Sequence, residues 1–150
     1  IPIRSVRENI SLAFIDQLSK FGLVKKREEI EKADSMSRQL NVKTPSPKTE
    51  IRTLSGGNQQ KAILGKWLLG GPDILILDEP TRGIDVGSKA EIHQLMCDCA
   101  EKGMAVIMIS SELPEVIGMS DRVYVMRNGG IAGELIRGEA TQESIMHLAT

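Results

Sequence analysis

Leu54-Ser55-Gly56-Gly57-Asn58-Gln59-Gln60-Lys61 starts a predicted helix, and Ile74-Leu75-Ile76-Leu77-Asp78-Glu79-Pro80 follows after a short spacer. The fold is decided by these two stretches. Ser55 stands where a helix N-cap belongs, and Gly70-Gly71-Pro72 ends the helix, predicted over 55–69. Four aliphatics in a row, Ile74 to Leu77, have the length of a strand buried on both faces. Asp78 and Glu79 close that strand.

Each stretch also carries chemistry. A helix N-terminus leaves backbone N–H groups unpaired and holds positive partial charge. Glycines let a phosphate approach those groups, and the Ser55 hydroxyl can add a donor. The plain reading, a Ser N-cap after a glycine turn, fits the same residues. The two carboxylates lie at the strand end where open parallel sheets bind ligands. There Asp78 can hold Mg²⁺, commonly through water, and Glu79 can polarise an attacking water. The alternative is a core strand whose end meets solvent. Thr81-Arg82-Gly83-Ile84-Asp85 comes next and reads as a loop beside any bound phosphate, with Asp85 capping the following helix.

Downstream, Val86 to Lys102 reads as a helix with Ile92, Leu95, Met96 and Cys99 on one face, stopped by Gly103. Ala105 to Ile109 is a second predicted buried strand, and Glu112 to Met119 a short helix. Arg122–Met126 and Ile131–Leu135 read as paired strands turning at Asn128-Gly129-Gly130. Thr141 to Ala149 closes as a helix. Upstream, Lys25 to Leu40 is a charged amphipathic helix with Ile30, Ala33, Met36 and Leu40 at helical spacing. Arg4 to Leu18 reads as one or two short helices. The prolines of Thr44-Pro45-Ser46-Pro47-Lys48 forbid helix there and mark a boundary. This gives two expected parts, residues 1–50 and residues 51–150. The order strand–helix–strand–helix–strand points to an α/β fold, a parallel sheet with helices on its faces.

The composition of the 150 residues, 41% hydrophobic and 26% charged, is that of a globular protein. A net charge of −1 gives no nucleic-acid footprint. No apolar run approaches the ~20 residues of a membrane span, and there is no apolar signal-peptide region. A membrane role must therefore come through a partner subunit. The first residue, Ile1, reads as the start of a fragment or processed product. Cys97 and Cys99 point about 200° apart on their helix, which suits neither a shared metal nor a disulfide. They read as structural thiols of a reducing compartment. His93 and His147 have no acidic or cysteine company at ligand spacing and read as ordinary surface residues.

In this order and spacing the motifs resemble those of the ATP-binding cassette ATPases, over about Arg4 to Leu135. Leu54 to Lys61 matches the family's signature, Ile74 to Asp78 its Walker B strand, Glu79 its catalytic carboxylate, and Gly83 to Asp85 its D-loop. The resemblance is closest to the second cassette of ribose/galactose/xylose-type sugar importers, through Leu54–Lys61, Asp78–Gly87 and Ser110–Glu115. It implies a partial P-loop NTPase fold with a helical subdomain, in which Ser5 to Asn9 follows the Q-loop. It implies ATP and Mg²⁺ as cofactors, with Leu54, Ser55, Gly56, Gly57, Asn58, Gln59 and Asp85 at nucleotide and Asp78 at the metal. Implied partners are a second cassette, transmembrane permease subunits and, indirectly, a periplasmic or extracellular sugar-binding protein. The implied place is the cytoplasmic face of the membrane, with no nucleic acid involved. Self-association of the chain through exposed strand edges is also expected.

Two departures stand out. No Gly-x-x-x-x-Gly-Lys-Ser/Thr loop occurs; in the family it lies upstream of the Q-loop. The switch histidine that follows the second strand is replaced by Ser111, the matching catalytic position. By the resemblance, Ser55, Gly56 and Gly57 complete a partner cassette's site, while Asp78 and Glu79 serve a weaker site of this half. The implied function is ATP hydrolysis coupled to sugar import. The alternatives are a non-hydrolytic half that lends its signature to a partner, or a soluble non-transport cassette ATPase.

Overall fold

A computed structural model describes all 150 residues. They form two compact units, Ile1–Ile76 with Pro80–Ile107, and Leu77–Glu79 with Met108–Thr150.

In the first unit, α1 (Val6–Ser11) begins with a complete capping box, Ser5 and Glu8 each serving the other's backbone N–H. A hairpin of two short strands follows, β1 (Ser19–Lys20) and β2 (Leu23–Val24), turning on Phe21 and Gly22, both with positive φ. Next is α2 (Lys26–Gln39), whose inner face carries Glu29, Ala33 and Ser37. The buried Glu29 carboxylate takes hydrogen bonds from Ser11 and Lys26. Arg7 grips Asp34 with two parallel hydrogen bonds of 2.8 and 2.6 Å, tying α1 to α2.

Beyond the proline break lie α3 (Gly56–Leu68) and α4 (Val86–Glu101). The apolar face expected on α4 is buried at Ile92, Met96 and Cys99, while Cys97 is exposed on the other side. Val6, Ile10, Ala33, Leu40, Ala62, Leu64, Leu75 and Ile92 are core residues of this unit.

The strands β3 (Ile74–Asp78) and β4 (Ala105–Ile109) are neighbours. The Ala105 N–H donates to the Asp73 carbonyl (2.9 Å) and the Glu79 N–H to the Ile109 carbonyl (2.8 Å), so the strands run parallel. Burial corrects the sequence reading here. Leu75 and Leu77 are buried, but Ile74 and Ile76 are 58% and 64% exposed, and Ile107 and Ile109 are half exposed. Alternate side chains point to opposite faces of a strand, and only one face is covered by this chain.

In the second unit, α5 (Leu113–Met119) leads to β5 (Arg122–Arg127) and β6 (Gly130–Ile136), which pair antiparallel with a register shift at Val125/Met126. The third strand of the expected alternation thus pairs with its own successor and does not extend the parallel pair. Val123, Val125, Ala140 and Ile145 form the core of this unit, with Ile145 on α6 (Gln142–Ala149). No helix is long and apolar enough to cross a membrane.

Candidate functional site

The residues singled out by sequence fall into two groups. Leu54, Ser55, Gly56, Gly57, Asn58, Gln59 and Asp85 lie in the first unit; Asp78, Glu79 and Ser111 lie in the second.

In the first group, Leu54 and Ser55 are extended, and the chain turns into α3 at Gly56. Ser55 is the N-cap residue by backbone geometry, yet its side chain caps nothing. Its Oγ accepts a hydrogen bond from Asn58 Nδ2 at 2.8 Å. The Asn58 Oδ1 accepts in turn from the Lys43 backbone N–H at 2.7 Å. Gln59 uses its Nε2 on the Leu54 carbonyl at 2.9 Å and so braces the turn before the helix. The first-turn amides of α3 have no intrahelical acceptor, and Ser55 and Gly56 are exposed. The result is an open, positively polarised helix end with a hydroxyl beside it.

Gly57 has a reason of its own to be glycine. A Cβ placed there would lie 2.2 Å from Ser88 Oγ and 2.4 Å from Ser88 Cβ. The start of α4 is therefore packed directly on the first turn of α3. Asp85 caps α4 as the sequence predicts: its carboxylate accepts from the Ser88 N–H (3.0 Å) and the Ser88 hydroxyl (2.7 Å). Those bonds hold the Asp85 carboxyl below its usual range. Gly83, at φ +75, supplies the left-handed turn between Thr81 and the cap.

Below this end, the Lys61 side chain is fully buried. Its ammonium donates to the Asn41 carbonyl (3.1 Å) and pairs with Glu91 of α4. Glu91 also meets Lys43 Nζ at 3.5 Å. The Lys61 hydrogen bond, first among the causes, holds the Glu91 carboxyl below its ordinary value. Sequence reasoning found no role for Lys43, Lys61, Ser88 or Glu91. Only Ser88 had a signal, its three-residue spacing from a capping Asp85.

In the second group, Asp78 is exposed at the end of β3. Glu79 follows with φ +49, a left-handed conformation that bulky residues rarely adopt. Its Oε1 accepts from the Ser111 backbone N–H at 3.0 Å. The structure thus brings Glu79 and Ser111 together, through the backbone of Ser111. Ser110 Oγ accepts from the Glu112 N–H at 3.1 Å and donates to Glu115, fixing the turn that presents that amide.

The chain carries no group of three or more His, Cys, Asp or Glu side chains that could hold a metal ion. A Mg²⁺ at Asp78 needs phosphate and water to complete its shell, the usual arrangement for that ion. The open end of α3 fits a phosphate oxygen, since its donors are unspent and Gly56 is exposed.

A family profile described as ABC transporter matches residues 1–82. The ribose import ATP-binding protein RbsA of Bacillus licheniformis is 54% identical over 146 residues, 97% of this chain and 30% of that protein. The protein of the same name from Bacillus subtilis is also 54% identical, over the same shares of each chain. The chain thus spans about three tenths of the length of these relatives. A nucleotide-free ATP-binding cassette from an ABC transporter superposes with a TM-score of 0.83 at 24% identity, over 97% of this chain and 60% of that one. A dimeric cassette bound to ADP and Pi superposes with a TM-score of 0.76 at 23% identity, over 91% and 58%. These two likenesses establish the cassette fold.

Proposed function

The chain belongs to the ABC transporter family, and we propose that it is the C-terminal part of an ATP-hydrolysing cassette that drives import of a sugar. Ribose is the sugar named for its 54%-identical relatives. The observation that carries this reading is the open N-terminus of α3, where Ser55 is the N-cap by position and leaves its hydroxyl uncommitted as a donor. A structural cap would spend that side chain on the helix itself.

Bound ATP supplies the phosphoanhydride whose cleavage drives transport. Ser55 and the amides of Gly56 and Gly57 donate hydrogen bonds to the terminal phosphate of a nucleotide held mainly by a partner cassette. Leu54 and Gln59 shape the turn, and Asp85 holds α4 against it. Asp78 would hold Mg²⁺ through water in this half's own site, where the ion would neutralise charge on the phosphates. Glu79 accepts a proton from the attacking water there, its second oxygen braced by the Ser111 amide. The cassette works on the cytoplasmic face of a membrane, docked on permease subunits and served by an external sugar-binding protein.

Ser111 favours a second reading for that own site. A serine cannot exchange a proton near neutral pH as a histidine does. The half would then lend its signature to the partner without hydrolysing ATP itself. Steady-state ATPase of the assembled transporter tests both readings. Ser55→Ala should lower turnover strongly. Unchanged turnover refutes the signature role, and loss of turnover in Glu79→Gln refutes the non-hydrolytic reading.

A further inference from the structure

We infer that Asn58 is a positioning residue that fixes the Ser55 hydroxyl as an outward hydrogen-bond donor, with the Lys43 backbone amide setting the direction. This rests on the reading that Ser55 meets a nucleotide phosphate. The family resemblance places Asn58 among the nucleotide ligands, but both ends of its amide are engaged within the chain.

The direction follows from what each group can do. A backbone N–H only donates, so the Asn58 atom facing Lys43 must be the carbonyl oxygen. The other end, facing Ser55, is then the NH₂, which only donates. Ser55 Oγ is therefore the acceptor, and its own hydrogen cannot point back at Asn58. Nor is that oxygen used to cap α3. The hydroxyl hydrogen is left to point away from the helix start, where a phosphate oxygen needs a donor. An anion there meets a hydroxyl already oriented, with no reorganisation at the moment of reaction.

The device is anchored from outside the motif. Lys43 lies in the segment just after α2, and its ammonium meets Glu91 on α4. Glu91 also holds the buried Lys61 ammonium, which donates to the Asn41 carbonyl in the same segment. The segment Asn41–Lys43 is thus fastened at two points, the Asn41 carbonyl and the Lys43 ammonium, and the Lys43 amide sets the polarity of a hydroxyl twelve residues along the chain.

A double-mutant cycle on ATPase turnover of the transporter, assembled with its membrane subunits, tests the inference. Ser55→Ala should lower kcat roughly 100-fold, the loss of one preorganised donor. Asn58→Ala alone should lower kcat about tenfold, within the coupling range of contacting residues, and leave KM for ATP unchanged. In the Ser55→Ala background Asn58→Ala should have no further effect, because no hydroxyl is left to orient. An equal loss in both backgrounds overturns the inference, since a folding defect or a direct contact survives removal of Ser55. Unchanged kcat for Asn58→Ala alone overturns it as well. If Ser55→Ala itself is silent, the reading of Ser55 at a nucleotide fails, and the inference fails with it.

Discussion

Replacing Gly57 by Ala adds one methyl group at the contact between α3 and α4. That Cβ would stand 2.4 Å from Ser88 Cβ and 3.6 Å from Ser88 Cα. Carbon atoms rest at about 3.5–4.0 Å, so the start of α4 must retreat by roughly 1 Å. Turning the Ser88 hydroxyl aside does not help, because Ser88 Cβ is fixed by the backbone. A retreat pulls on the Asp85 cap, which holds Ser88 by two hydrogen bonds. Overpacking costs about 1–3 kcal/mol and a weakened cap about 1 kcal/mol. Alanine returns about 1 kcal/mol through its better helix propensity. The net loss is about 2 kcal/mol, which lowers the urea midpoint of the chain by about 1 M at a typical slope of ~2 kcal/mol per M. Adding Ser88→Gly removes the clashing atoms and should recover most of the loss. A Gly57→Ala chain as stable as the parent refutes the packing argument and leaves phosphate approach as the only reason for glycine at 57.

The remaining predictions probe charge, nucleotide and the bare sheet face. Gly56→Asp in the assembled transporter places a carboxylate at the exposed end of α3, its Cβ 3.2 Å from Ile84 Cγ2 and clear of Ser88, and should lower ATPase turnover roughly 10²–10³-fold, an effect that unchanged turnover contradicts. The chain by itself lacks the Walker A loop, so calorimetry should find Mg-ATP affinity weaker than about 100 µM, equivalent to ~5.5 kcal/mol, and tighter binding opposes the site assignment. The Asp85 carboxyl is depressed by its Ser88 bonds, so its contribution is fully present above its unfolded value of about 3.9 and is lost as pH falls through the lower folded value. Asp85→Asn keeps a cap that does not titrate, and its stability should fall less steeply below about pH 4; identical acid profiles contradict this. Sedimentation should show concentration-dependent self-association of the chain, reduced by Ile76→Lys on the exposed face of β3, and equal association of both chains counts against that face.

Most helices and strands were legible because each is a local signal. Val86–Glu101 and Lys26–Gln39 came within a residue or two of their predicted ends, since caps, glycines and apolar spacing act within a few residues. The β1–β2 hairpin was not found, because its left-handed turn begins with Phe21 and not with the Asn or Asp that marks such turns. A run of four aliphatics announced β3 but not which face is covered, which depends on elements distant in sequence. The signature was legible as a motif, yet the roles within it were not. Ser55 is oriented through Asn58 by an amide at Lys43, and Gly57 answers to Ser88, thirty-one positions away by the numbering. No local pattern encodes such pairings.

Glu79 carries an evolutionary consequence in its backbone. At φ +49 it pays about 1 kcal/mol or more to stand in a conformation that glycine adopts freely. Both glutamate codons become glycine codons by one transition at the second base. One nucleotide change therefore relieves the turn and deletes the carboxylate together. That change also removes the hydrogen bond the carboxylate accepts from the Ser111 N–H, about 1 kcal/mol in the opposite direction, so strain and bond nearly offset at this position.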